Sequence, residues 1–302
     1  MGRGAETTQL HELLSTSRLV TLSGIGGVGK TTLAAQTAAG LQLQFADGVW
    51  WVELAELRDG ALLTEVIAST LGVRDQVGRE LSDVLVDYLA QRQALLVFDN
   101  CEHLIDDVAK LADVLLRTCR HLKILATSRE VLDIEGEAVL RVAPLPCPTF
   151  DGEPTIGALS DNEAVQLFVQ RARAAVPGFQ LDDHNTTAIA RICARVDGLP
   201  LAIELAAARM RAMSAEQIAE ELSGRYELLT RAGAVPTAAS KASLRAWDGA
   251  MTCAPNPSNG SGADCRCSPR ISSCPLRAIS APTTCPAANS WTWCARWSTS
   301  PS

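Results

Sequence analysis

Leu19-Val20-Thr21-Leu22-Ser23-Gly24-Ile25-Gly26-Gly27-Val28-Gly29-Lys30-Thr31-Thr32 decides how the rest of this 302-residue chain is read. A short β-type run enters a glycine-rich turn of the form G-x-x-x-x-G-K-[ST], and an apolar helical pattern (Leu33, Ala34, Thr37, Ala38, Leu41) leaves it. The glycines let the backbone curl so that successive N–H groups face one point at a helix N-terminus, where a polyphosphate fits. Lys30 then reaches the β- and γ-phosphates, and Thr31 offers its hydroxyl to Mg²⁺. The candidate nucleotide-binding set is Gly24, Gly26, Gly27, Val28, Gly29, Lys30, Thr31 and Thr32. The alternative is a strand-to-helix turn that binds nothing. It leaves unexplained why strand and helix flank the loop as the motif requires.

Downstream, Ala94-Leu95-Leu96-Val97-Phe98 is apolar throughout, the mark of a parallel strand covered on both faces, and it runs into Asp99-Asn100-Cys101-Glu102-His103. An acid at the end of a buried strand, after a phosphate loop, is where a Walker B aspartate belongs, so Asp99 is the second Mg²⁺ candidate. A turn carboxylate or helix cap is its other reading. Leu122–Ala126 is a further strand and ends in Thr127-Ser128-Arg129; Arg129 either senses a γ-phosphate or is a solvated strand-end arginine. Because ligands bind outside the carboxyl ends of strands in open α/β sheets, Asp99 and Gly24 are expected at one crevice.

The remaining pattern fills in around these motifs. A helix is expected over Glu6–Leu14, strands over Gly48–Leu54 and Ala138–Val142, and helices over Ala61–Leu71, Glu80–Gln91 and Val108–Cys119. Pro144, Pro146, Pro148, Gly152 and Pro154 mark a linker. Beyond it the chain reads as helical. Ser160-Asp161-Asn162-Glu163 has the form of a capping box, Ile189 to Val196 carry an apolar stripe ending at Asp197-Gly198, Pro200 opens a helix to about Ala212, and Ser214 with Gln217 forms a second box.

Composition narrows the classes. The formal charge is −7, and residues 1–246 hold 23 of the 27 basic and 32 of the 34 acidic residues, a balance of −9. Direct nucleic-acid binding calls for a basic face, and none is visible in this pattern. No run of 18 or more apolar residues and no basic-then-apolar leader occurs, so a membrane span is not expected and the cytoplasm is. Six of the ten cysteines crowd into residues 253–294, and Cys265-Arg266-Cys267 lacks the spaced pairs of a zinc site.

In order along the chain, Gly24–Thr32, Gly48–Leu54, Leu96–Leu104, Thr127-Ser128-Arg129 and Gly198-Leu199-Pro200-Leu201-Ala202 resemble the NB-ARC type of STAND ATPase, nearest to the ATPase segment of bacterial AfsR- and LuxR-type transcriptional regulators. The likeness covers roughly residues 2–246, with Gly2-Arg3 as a remnant of the opening Gly-Arg-Glu box. It implies that Pro200 packs near the adenine and ribose, that Arg129 is the sensor arginine, and that the module holds ADP until a signal exchanges it for ATP. It also implies self-association or a signalling partner. Without the family, Gly198–Ala202 is only a helix junction.

Two departures qualify this. Asn100 stands where strongly hydrolytic relatives carry a second acid, so slow hydrolysis is expected, with Glu102 as one candidate to polarise water and a surface carboxylate as its other reading. From about Ala242, where a winged-helix domain should begin, the chain becomes Ser-, Pro-, Cys- and Gly-rich with no Lys or Glu. Back-translation of Trp291–Ser298 shifted by one base permits Leu-Asp-Leu-Val-x-Ala-Leu-Val, which resembles the family's winged helix; a frameshift near Arg245–Trp247 is the reading. The expected architecture is α/β: a P-loop NTPase parallel sheet with helices on both faces over 1–148, a small all-helical lid over 149–240, and a disordered tail over 241–302. The expected function is an ATP/ADP-binding regulatory switch with Mg²⁺. The alternatives are an AAA-type ATPase with real turnover and a truncated, inert nucleotide-binding fragment.

Overall fold

Five strands carry the sheet: β1 (Leu19–Ser23), β2 (Val49–Glu53), β3 (Leu95–Asp99), β4 (Lys123–Ser128) and β5 (Glu137–Arg141). In this computed structural model, which describes residues 3–148 and 156–231, they lie in the order β2-β3-β4-β1-β5 and every pairing is parallel. α1 (Gly4–Thr16) precedes β1, and the connections between successive strands up to β4 run through helices: α2 (Lys30–Leu41) from β1 to β2, α3 (Leu63–Leu71) and α4 (Leu81–Leu89) from β2 to β3, and α5 (Ile105–Thr118) from β3 to β4.

The apolar runs of β1, β3 and β4 are explained by burial on both faces. Successive side chains alternate between two cores. Leu96, Phe98, Ile124 and Ala126 point to a core with Ile67, Leu89, Val108 and Leu115 of α3, α4 and α5. Leu95, Val97, Leu125, Val20 and Leu22 point to the other, with Leu10 and Leu14 of α1 and Leu33, Ala34 and Ala38 of α2. The small residues of α2 let it lie close on the sheet, which places its N-terminus at the end of β1.

Five more helices follow: α6 (Ile156–Ser160), α7 (Glu163–Ala175), α8 (Thr186–Arg195), α9 (Pro200–Ala208) and α10 (Ala215–Arg231). Their shared core is built from Phe168, Ile189, Ile192, Ile203, Ile218 and Leu222. The described residues all fall within one contact unit, Met1–Cys253.

Several element ends differ from expectation. The helix over 61–71 opens as a 3-10 turn, Gly60–Leu62, capped by Asp59 accepting from the Ala61 N–H at 3.0 Å, and the α-helix begins at Leu63. Ser160 is not a cap: it ends α6, while Asn162 caps α7 by accepting from the Ala164 and Val165 N–H groups at 3.1 and 3.2 Å. That leaves Glu163 at the first helical position, free to reach elsewhere. The helix from Pro200 stops at Ala208 and continues as a 3-10 turn to Arg211. The second box does form, with the Ser214 N–H donating to Gln217 Oε1 at 2.9 Å and the Gln217 N–H to Ser214 Oγ at 3.3 Å. Gly2, Gly152, Pro154, and the tail from residue 241 with its frameshift reading near 245–247, lie outside the described residues.

Candidate nucleotide site

Strand register assembles the site. Pairing of Ser23 with Ser128 sets the start of the phosphate loop beside Arg129, and pairing of Phe98 with Ala126 sets Asp99 beside Thr127. The loop then turns into α2 at Lys30, with Gly29 left-handed at φ 96°. Twelve residues of helix stand behind that N-terminus.

Thr31 Oγ1 donates to Asp99 Oδ1 at 2.9 Å, joining residues 68 apart in sequence. Thr127 Oγ1 donates to the same oxygen at 2.6 Å and accepts from the Asn100 N–H at 2.9 Å, so the end of β3 is fixed by the strand next to it. Asp99 is 7% exposed. One carboxylate and one hydroxyl are hard oxygen donors, a set that suits Mg²⁺ completed by phosphate oxygens and water. Among the described residues no cluster of three or more His, Cys, Asp or Glu could hold a metal without such help.

Lys30 is 8% exposed, and its ammonium donates to the carbonyls of Gly24 (2.8 Å) and Ile25 (3.3 Å). Burial lowers its pKa from the usual 10.5; Glu102 opposes this, Arg129 adds to it and Asp99 opposes it more weakly. A buried cation short of counter-charge is suited to receive a phosphate. Cys101, in the same segment, is pushed up to about 12 by burial first and then by Asp99 and Glu102, so its thiol is inert.

Arg129 lies against the loop: a Cβ built on Gly26 would stand 3.4 Å from its Nη2. Its Nε donates to Glu102 Oε1 at 2.9 Å. With the guanidinium 61% and the carboxylate 18% exposed, such a pair contributes at most about 1 kcal/mol and is readily exchanged. Asn100, at φ 67°, turns the chain so that Glu102 faces back. Its amide, with the nitrogen toward Glu102, donates to Oε1 and Oε2 at 3.1 and 3.2 Å.

The Gly198–Ala202 stretch sits on the loop. Gly198 takes φ 64°, and a Cβ there would meet the Leu145 carbonyl oxygen at 2.0 Å, so only glycine fits. Pro200 then occupies the first turn of α9, and the Leu201 N–H donates to the Gly27 carbonyl at 3.2 Å. Pro200 Cγ lies 3.9 Å from the position a Gly29 Cβ would take. A side chain on Gly27, at φ 76°, would come within 2.9 Å of Leu201 Cβ. Asp99, Arg129 and Pro200 are thus brought against the loop set Gly24–Thr32.

The roles of two residues are not legible in the sequence. Thr127 stands there only as part of the Thr127-Ser128-Arg129 motif and Arg3 only as part of the opening box, and the role of Thr127 needs the β3–β4 adjacency. Arg3, left-handed at φ 64° and 7% exposed, donates through Nη2 to the carbonyls of Val28 (2.7 Å) and Ala143 (2.9 Å), while its N–H donates to Glu163 Oε1 at 3.0 Å. It ties loop, sheet end and α7 together. Burial lowers its pKa, against the pull of Glu6 and Glu163.

Residues 5–142 match the NB-ARC domain family. An HTH-type transcriptional regulator of Mycobacterium tuberculosis is 43% identical over 220 residues, 73% of this chain and 23% of that protein. The regulatory protein AfsR of Streptomyces griseus is 27% identical over 224 residues, 70% of this chain and 21% of that protein. The chain therefore spans under a quarter of the length of these relatives. A chain in a structure of Drosophila ORC bound to DNA shares the fold at 15% identity, with a TM-score of 0.51 over 75% of this chain and 66% of that one. Residues 5–142 of this chain are an NB-ARC domain, a P-loop nucleotide-binding module resembling that of AfsR-type regulators.

Proposed function

We propose that this module is an ATP/ADP-binding regulatory switch with Mg²⁺, slow in hydrolysis, serving transcriptional control in the manner of the regulators it resembles. The observation that carries this reading is the 2.9 Å contact between Thr31 and Asp99 at the mouth of the phosphate loop. Lys30 and the loop N–H groups hold phosphate, Thr31 and Asp99 hold the ion, and Arg129 reads the γ-phosphate. The ion supplies charge neutralisation across the phosphate oxygens when bound.

The switch character is supported by the seating of α9 on Gly27, where the Leu201 N–H meets the Gly27 carbonyl; in this reading the helices α6 to α10 act as a lid over the sheet. A ligand shifts such a lid only through contacts that differ between its states, and Pro200 and Leu201 border the adenine side in this reading. Self-association or a signalling partner, action in the cytoplasm, and no direct nucleic-acid contact by this chain complete the proposal. Among the described residues no helix is long and apolar enough to cross a membrane.

Nucleotide retained after purification, identified by chromatography of the denatured protein, tests the reading. Bound ADP, a Tm raised by added ADP or ATP with Mg²⁺, and loss of both in Lys30→Ala are the expected results. Rapid steady-state turnover abolished by the same substitution favours an AAA-type ATPase instead. Absence of any nucleotide-dependent Tm shift overturns both.

A further inference from the structure

Glu102 is a carboxylate beside the phosphate loop, paired with Arg129, that the proposed nucleotide holding does not use. It lies three residues past Asp99, in the one-turn segment Cys101–His103 that the left-handed Asn100 directs back toward the loop. Arg129 Nε and, with its nitrogen toward Glu102, the Asn100 amide both donate to it, and it is the strongest opposite charge acting on Lys30, ahead of Asp99. The Glu102 side chain is only 18% exposed, so it is more enclosed than a freely solvated surface carboxylate. Asn100 itself, being a neutral amide, has no basic site for a water proton.

Resting on the nucleotide-binding reading, we propose that Glu102 is the water-activating carboxylate of this site, and that its ion pair with Arg129 holds it in check until a γ-phosphate competes for the guanidinium. In the step, a water oxygen bonds to the γ-phosphorus as the bond from that phosphorus to the β–γ bridging oxygen breaks. The electron pair leaves with ADP. The water proton passes to Glu102 and then to solvent, so ATP and water become ADP, inorganic phosphate and a proton. While both donors engage the carboxylate, fewer of its lone pairs are open to that water. Phosphate, with more charge and a fork geometry matched to guanidinium, is the stronger partner for Arg129.

The discriminating experiment uses the full chain and its isosteric Glu102→Gln variant, with fluorescent ATP and ADP analogues for binding and single-turnover hydrolysis of ATP with Mg²⁺. Glu102→Gln is expected to bind ADP as wild type does, to slow hydrolysis about 100-fold, the scale of a lost general base, and to raise the affinity ratio of ATP over ADP severalfold because Arg129 loses its competitor. Should Glu102→Gln melt early, Glu102→Asp keeps the charge with a shorter reach and takes its place, with an intermediate rate expected. Hydrolysis within twofold of wild type with nucleotide still bound overturns the catalytic assignment, as does a wild-type rate no higher than that of Lys30→Ala. An unchanged ATP-to-ADP ratio overturns the restraint. Failure of the wild-type chain to bind either analogue sinks the nucleotide reading itself, a distinguishable result.

Discussion

At the scale of single residues, the site is organised by charges and hydroxyls taken out of water. Lys30 is buried with carbonyl partners and holds its proton less tightly than a free lysine. A cation with a depressed pKa costs stability below its folded pKa, and that cost fades as pH rises toward 10.5. Lys30→Met removes the cost, so its stability relative to wild type should be greatest near neutral pH and should fall as pH rises toward 10.5. Urea titrations at three pH values check this; a gap that widens with pH contradicts it. Thr127 carries two hydrogen bonds at the end of β3. Thr127→Val leaves the Asn100 N–H unpaired and should cost about 1–3 kcal/mol by urea unfolding, while weakening the Mg²⁺ dependence of ATP binding.

At the scale of elements, the same sequence signals act differently once neighbours are present. The Asp197-Gly198 stop was legible because a helix ending in left-handed residues before Pro200 is a local pattern. What that stop accomplishes was not legible: Gly198 lets the chain pass against the Leu145 carbonyl, which delivers α9 to Gly27. Gly198→Ala should therefore destabilise by about 3 kcal/mol, seen as a lowered Tm, and should also loosen nucleotide retention. The capping box at Ser160–Glu163 was misread for a related reason. Asn162 competes as the cap, and Glu163 is drawn off by the Arg3 N–H, a contact 160 residues distant.

At the scale of the whole molecule, the sheet and the helices α6 to α10 are joined at the phosphate loop, at the segment after β5 and through Arg3. Its guanidinium satisfies carbonyls of the loop and of the segment after β5, while its N–H reaches α7. Arg3→Met leaves the Val28 and Ala143 carbonyls without that donor and should cost about 2–3 kcal/mol by urea unfolding. Loss of less than about 0.5 kcal/mol, the range of an ordinary surface change, would show the tie to be dispensable. The tail belongs to this scale as well. If a frameshift near Arg245–Trp247 created it, the coding DNA read one base upstream stays open and encodes Leu-Asp-Leu-Val-x-Ala-Leu-Val opposite Trp291–Ser298; a stop codon there refutes the idea.

The amino-acid sequence by itself determined the phosphate loop, the buried parallel strands and the helical stripe pattern, because glycine spacing and apolar periodicity are local and each motif carries its own geometry. Only the tertiary structure decided which side chains meet. Strand order β2-β3-β4-β1-β5 puts Thr127 on Asp99 and Arg129 over Gly26, and a left-handed turn at Asn100 returns Glu102 to Arg129. Those contacts span 27 residues or more, and a distance of that kind is set by how the chain crosses the sheet rather than by any pattern along it.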